Sequence, residues 1–232
     1  MTDAEKIREF AAHAEGLLDA EIVSGVGRIY SRGGDKHYPS VTTVLSHVTD
    51  PESKAKLEEW RRSVGEEEAE RITREACAHG TSMHSLIERH FKGEIDKEAD
   101  KGELGWRLYR GLRVFLKNIE PIALEMPLWS DTLRVAGRTD CVGYYDGVLS
   151  LIDFKSSRRE KRAEDIKNYF LQCTLYAMML HEQTGVSCKQ IVILNSPRAG
   201  FALPQVFKRE TRNYVKDAFN AVKCYHANNP TW

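Results

Sequence analysis

Two strand-like runs, Leu133–Tyr145 and Val148–Lys155, flank the dipeptide Asp146-Gly147, and Asp-Gly between such runs is among the strongest short-range hairpin signals. The pairing fixes a register. With Asp146 and Gly147 as the loop, Asp140 falls directly opposite Asp153 and Arg138 opposite Lys155. Side chains alternate with period two, so Asp140, Asp153 and Lys155 share one face. Directly opposed Cβ atoms lie about 4.5–5.5 Å apart, where like charges destabilise unless something compensates. Ordinary charges on a solvated hairpin face are one reading. The neighbours argue against it: Leu151-Ile152-Asp153-Phe154 is apolar around its one carboxylate, the pattern of a strand covered on both faces. An unpaired carboxylate there costs several kcal/mol, and a hard cation held by oxygen ligands is a natural compensation.

Periodicity and cap residues predict an N-terminal helix over about Asp3–Leu18, then a Gly-rich hairpin or loop over Gly25–His37. Ser40 is placed as the N-cap of a short helix through Val48. Pro51 breaks the pattern, and Lys54–Arg62 begins another helix. A long helix is expected from Glu66 to about Phe91, ending near Gly93, and an amphipathic one over Glu103–Asn118. Ile122–Trp129 is the first strand expected, followed by the hairpin and a helix over Glu164–Glu182 closed by Gly185. A strand over Gln190–Leu194, an edge segment near Phe201–Phe207 and a last helix over Arg209–His226 complete the chain. This order fits an α/β sandwich. At 232 residues, a single domain over 1–232 is expected, with a mainly helical part over 1–118 and an α/β core over 119–232.

Lys and Arg number 34 against 34 Asp and Glu, so composition alone does not announce a nucleic-acid binder, although a local patch can hide within a balanced total. Acids cluster in Glu66-Glu67-Glu68 and around Glu94–Glu103. The run Ser157-Arg158-Arg159-Glu160-Lys161-Arg162 follows the acidic pair immediately and reads either as a solvated loop or as a phosphate contact. No apolar run is long enough to cross a bilayer, and MTDAEKIREF lacks the apolar centre of a signal peptide and carries acids unlike a transit peptide. A cytoplasmic location without membrane association is expected. Five cysteines, Cys77, Cys141, Cys173, Cys188 and Cys224, are scattered without a C-x-x-C pair, which argues against a zinc ribbon and for reduced thiols.

Gly137-Arg138-Thr139-Asp140, then Ile152-Asp153-Phe154-Lys155-Ser156-Ser157, then Gln172 and Tyr176 as Q-x-x-x-Y resemble, in order and spacing, the PD-(D/E)XK nuclease superfamily in its RecB-like exonuclease branch. Gly80-Thr81-Ser82-Met83-His84 resembles that branch's G-T-x-x-H helix. Tyr38-Pro39-Ser40-Val41-Thr42-Thr43-Val44-Leu45 is similar to the P-S-V-T segment of mitochondrial genome maintenance exonucleases and related phage exonucleases. One departure is Asp153, where many members carry Glu.

The resemblance implies a restriction-endonuclease-like α/β core, a central mixed sheet flanked by helices, with an N-terminal helical elaboration. It implies Mg²⁺ or Mn²⁺ held by His84, Asp140, Asp153 and the Phe154 carbonyl, with Asp140, Asp153 and Lys155 catalytic. Whether Lys155 serves as a base or stabilises charge stays open. DNA contacts are expected from Ser40, Thr42, Thr43, Thr81, Arg138, Ser156, Ser157, Arg158, Gln172 and Tyr176. Glu125 and Glu88 are supporting carboxylates, Glu88 equally a partner for Lys92. Trp60 and Trp106 can stack on bases or pack between helices. Some RecB-like nucleases hold an iron–sulfur cluster on a closely spaced C-terminal cysteine group; this sequence has no such group, and no cluster is expected. The implied activity is a metal-dependent DNA exonuclease preferring single-stranded ends or flaps. A double-strand exonuclease of phage recombination and an inactive nucleic-acid-binding module are the alternatives.

Overall fold

The computed structural model describes residues 1–48, 51–199 and 202–230. Thr2 and Glu5 form a reciprocal capping box, Glu5 N–H donating to Thr2 Oγ1 at 3.2 Å and Thr2 N–H to Glu5 Oε2 at 2.6 Å. Helix α1 (Asp3–Ala14) follows and stops short of the expected Leu18. Strands β1 (Asp19–Val23), β2 (Gly27–Arg32) and β3 (Lys36–Pro39) then form an antiparallel sheet in that order. The sequence showed only a hairpin or loop in this region. β1 carries no apolar alternation, and its first four residues are exposed, so period two has nothing to register there.

Ser40 caps α2 (Val41–His47), its Oγ accepting the Thr43 N–H at 3.0 Å. Pro51 begins a helix instead of breaking one: α3 (Pro51–Val64) takes it in the first position, where an N–H would have no helical partner. α4 (Glu66–Lys92) ends on Gly93 at φ +75°, whose N–H donates to His90 O at 3.2 Å. A short α5 (Lys97–Asp100) precedes α6 (Trp106–Leu116), so the helix expected from Glu103 begins three residues later.

The main sheet comprises β4 (Ile119–Ser130), β5 (Val135–Tyr145), β6 (Val148–Ser157), β7 (Gln190–Pro197) and β8 (Gln205–Glu210), in the order β4-β5-β6-β7-β8. All neighbours are antiparallel except β6 and β7. That parallel pair needs a crossover, which α7 (Lys167–Thr184) provides; α8 (Val215–Asn228) closes the chain. Asp146 and Gly147 both adopt positive φ, +49° and +76°, as a two-residue primed turn requires. The ladder Cys141↔Ile152 through Tyr145↔Val148 has the register expected from that loop. The last helix begins at Val215, not Arg209, because β8 continues to Glu210 against Gln190. Phe201 of the expected edge segment lies outside the described residues.

Side chains of β6 and β7 alternate between two cores. Leu151, Ile191 and Ile193 pack with Val44, Phe170, Met179 and Tyr225 on the α7 side. Ile152, Phe154, Val192 and Leu194 pack with Met83, Ile87, Leu108 and Leu112 of α4 and α6. Each buried Leu, Ile or Phe contributes about 1.5–3 kcal/mol, and the double coverage explains why these strands read as continuous apolar runs. The mixed sheet flanked by helices is the fold class the sequence implied. Among the described residues no helix is long and apolar enough to cross a membrane.

Candidate active site

The β5–β6 ladder ends at Cys141↔Ile152. One residue further, Asp140 stays attached to β6 through its side chain, Oδ2 accepting the Phe154 N–H at 2.8 Å. Acidic groups gather where this ladder stops. On β4, Glu125 occupies the position between the pairs Leu124↔Cys141 and Met126↔Thr139, opposite Asp140. Its φ of +46° is uncommon for a residue with a side chain. Helix α4 lies so close to β6 that a Cβ on Gly80 would stand 3.4 Å from Ser156 Oγ. One turn on, it delivers His84, whose Nδ1 is 3.6 Å from Asp140 Oδ1 and 4.0 Å from Glu125 Oε1. The candidate ligand atoms of His84, Glu125 and Asp140 all lie within 4.8 Å of one another.

Asp153 is 2 % exposed, and the Lys155 ammonium sits 2.7 Å from its oxygens. The hydrogen bond is directed at Oδ1; Oδ2 is buried without one. Burial pushes the Asp153 carboxyl up to about 6 against the pull of Lys155, and the Asp140 charge adds to the rise. Burial alone would lower the Lys155 pKa, but the Asp153 and Asp140 carboxylates outweigh it and hold the ammonium charged. For His84 burial likewise opposes the charged form, and Asp140 and Glu125 more than offset it, raising the imidazole. Tyr169 places its ring 5.2 Å from Lys155 Nζ, within cation–π range.

The structure thus groups Glu125, not Asp153, with His84 and Asp140, while Phe154 presents its N–H to Asp140. Asp153 stands behind that group, paired with Lys155. Glu88 is the partner of Lys92, at 2.7 Å. Gln172 Nε2 donates to Tyr176 Oη at 3.3 Å, and both line a cleft of about 490 Å³ with Thr42, Arg138, Asp140 and Glu125. Gly137 explains part of the G-R-T-D run: a Cβ there would stand 2.7 Å from Tyr176 Cε1. Arg138 is exposed and donates to Glu125 O at 2.5 Å. Thr42 is exposed, whereas Ser40 and Thr43 are buried; Thr43 Oγ1 accepts the Arg28 N–H at 3.0 Å and donates to Arg28 O at 3.1 Å. Ser157 is also buried, accepting from Asn195 Nδ2 at 3.0 Å and donating to Arg159 O at 2.6 Å. Ser156 is half-buried, and Thr81 and Arg158 are exposed.

Sequence reasoning assigned Tyr169 no role at the site and gave Glu125 only a supporting one. Both had a signal: Tyr169 precedes Gln172 by three residues and Tyr176 by seven, on the same helical face, and Leu124-Glu125-Met126 repeats the apolar-acid-apolar pattern of β6. Arg28 and Tyr30 of β2, which also line the cleft, had none, because the sequence showed only a hairpin or loop there and nothing that set it beside the site.

Residues 103–222 match the profile of the PD-(D/E)XK nuclease superfamily. Mitochondrial genome maintenance exonuclease 1 of Homo sapiens is 30% identical over 168 residues, covering 67% of this chain and 48% of that protein. The Mus musculus protein of the same name is 27% identical over 167 residues, covering 67% and 49%. The chain therefore spans about half the length of these curated relatives.

Proposed function

The chain belongs to the PD-(D/E)XK nuclease superfamily, and on that premise we propose that it is a divalent-metal-dependent deoxyribonuclease that digests DNA from free ends, preferring single strands or flaps. The observation that carries this reading is the convergence of His84, Glu125 and Asp140 within 4.8 Å beside the buried Asp153–Lys155 pair. The donor set suits a hard cation such as Mg²⁺ or Mn²⁺: two carboxylates and one imidazole, with a third carboxylate behind them. Asp153 Oδ2, buried and receiving no directed hydrogen bond although Lys155 Nζ stands 2.7 Å away, fits a site short of positive charge. When bound, such a cation polarises a phosphoryl oxygen and lowers the pKa of a coordinated water.

The protein's own groups do the rest. Lys155, kept protonated between two carboxylates, is suited to stabilising negative charge at the scissile phosphate more than to accepting a proton. Arg138, Thr42 and Gln172 offer donors to neighbouring phosphates along the cleft. The relatives named as exonucleases support attack at ends.

The test is digestion of a labelled linear single strand, with circular and duplex controls, in Mg²⁺, Mn²⁺ or EDTA. Metal-dependent loss of the linear strand with the circle spared is expected, and Lys155→Ala should lower kcat by on the order of 100-fold or more. Cleavage of the circle, or a Lys155→Ala variant with normal turnover, overturns the assignment.

A further inference from the structure

Trp60 stands on α3, a helix with no buried residue, and is itself half-buried. It lines a second cavity, of about 450 Å³, together with Ile72, Ala76 and His84 of α4 and Phe154, Lys155 and Ser156 of β6. The two cavities meet the candidate site from different sides and differ in chemistry. Arg28, Arg138, Thr42 and Gln172 line the first, a set of donors suited to phosphate oxygens. The second is lined by an indole, by Phe154 and by mostly small or aliphatic side chains, yet reaches His84 and Lys155. Trp106 differs, packing against Tyr109 with ring centroids 5.4 Å apart.

A single strand crossing the site presents an alternation of charged phosphate and flat, apolar-faced base. A phosphate opposite Lys155 leaves its adjoining base within reach of the Trp60 slot, where every base has a π-face to stack. We propose that Trp60 is the stacking residue of a base slot that receives the nucleobase next to the scissile phosphate, an inference that rests on the nuclease reading above. A purely structural Trp60 would hold α3 against α4 and be indifferent to the bases of the substrate.

The experiment scans the intact enzyme with single-stranded oligonucleotides carrying one abasic residue at successive positions from the end, reading KM and kcat in Mg²⁺ or Mn²⁺. One position should raise KM by on the order of 10-fold, the scale of a lost base–aromatic stack, with kcat changed far less. Trp60→Ala should raise KM for the unmodified strand by a similar factor and abolish the position dependence, and Trp60→Tyr should restore both. Wild-type enzyme that digests DNA but tolerates base loss at every position overturns the slot alone, without need of any variant. So does a Trp60→Ala variant with unchanged KM. Wild-type enzyme that neither cleaves nor binds single strands overturns the nuclease reading, and the slot with it.

Discussion

Gly105 couples packing to the candidate site, because α6 begins where it presses on α4 just before His84. A Cβ built on Gly105 would stand 2.2 Å from Met83 N, 2.6 Å from Ser82 C and 2.7 Å from Met83 Cα. These are backbone atoms and cannot swing aside as a side chain can. Real Cβ contacts stay above 3.0 Å, so Gly105→Ala must part the two segments by at least about 0.8 Å, the difference between 3.0 and 2.2 Å. The same shift lengthens the Gly105 N–H bond to Ser82 Oγ, now 2.9 Å. Overpacking of this kind costs about 1–3 kcal/mol, which for a chain of this length lowers Tm by roughly 2–12 °C. Met83 adjoins His84, so the movement carries the imidazole off its 3.6 Å contact with Asp140, and misplacement near 1 Å can cost about 100-fold in rate. The control is Gly102→Ala, whose Cβ meets nothing within 4 Å and which should stay within about 0.5 kcal/mol of wild type. Urea unfolding and single-turnover digestion of labelled DNA measure the two effects. An unchanged denaturation midpoint refutes the close approach; a destabilised variant with normal turnover refutes the coupling to His84.

Glu125→Gln removes a carboxylate from the His84–Glu125–Asp140 group and should weaken Mn²⁺ binding by about 10-fold or more in calorimetric titration. Glu88→Gln, which only breaks the pair with Lys92, should leave it within about 2-fold; equal losses from both would show that the cation sits elsewhere. Asp131 receives hydrogen bonds from Lys36 and Tyr38, which hold its carboxyl below the usual range. A depressed folded pKa stabilises above the unfolded value and loses that contribution as pH falls through the folded value. Asp131→Asn should thus cost under about 1 kcal/mol at neutral pH, the residue being 46% exposed, and the difference should begin to shrink only below about pH 4 and vanish once pH is under the lowered folded-state value. A gap that persists in acid would disprove the charge-based account.

The sequence was most legible where a local rule and the tertiary environment agree. Asp146-Gly147 set the register of β5 and β6 because only one turn geometry suits those residues, and that register put Asp140, Asp153 and Lys155 together. Gly93 and Gly185 marked helix ends through their left-handed caps. Legibility failed where pairing depends on distant partners. β1 is an exposed edge strand, and nothing in DAEIV foretells that it lies over the site. The place of Glu125 beside His84 and Asp140 was hidden because it comes from the β4–β5 register, which is joined by a wider turn than Asp146-Gly147 and carries an irregularity between Pro121 and Ala123. The surroundings of the serine and threonine hydroxyls were hidden for a related reason: Ser40, Thr43 and Ser157 satisfy internal backbone or side-chain partners, a competition that residue type alone does not reveal.

The electrostatics of the site reconcile a neutral chain with a polyanionic substrate. Three carboxylates, those of Glu125, Asp140 and Asp153, gather around the ammonium of Lys155 and the imidazole of His84. That excess shows in the rise of the Asp153 carboxyl to about 6 and in the raised imidazole of His84. An acidic excess of this kind suits a divalent cation, and it also repels phosphate. If the proposed function holds, DNA should approach Lys155 closely only after the carboxylates are compensated, so cation binding and DNA binding should favour one another at this site. The fold enforces the arrangement: with one oxygen of Asp140 tied to the Phe154 N–H and Asp153 held in the sheet interior, neither carboxylate can turn to solvent to relieve the repulsion.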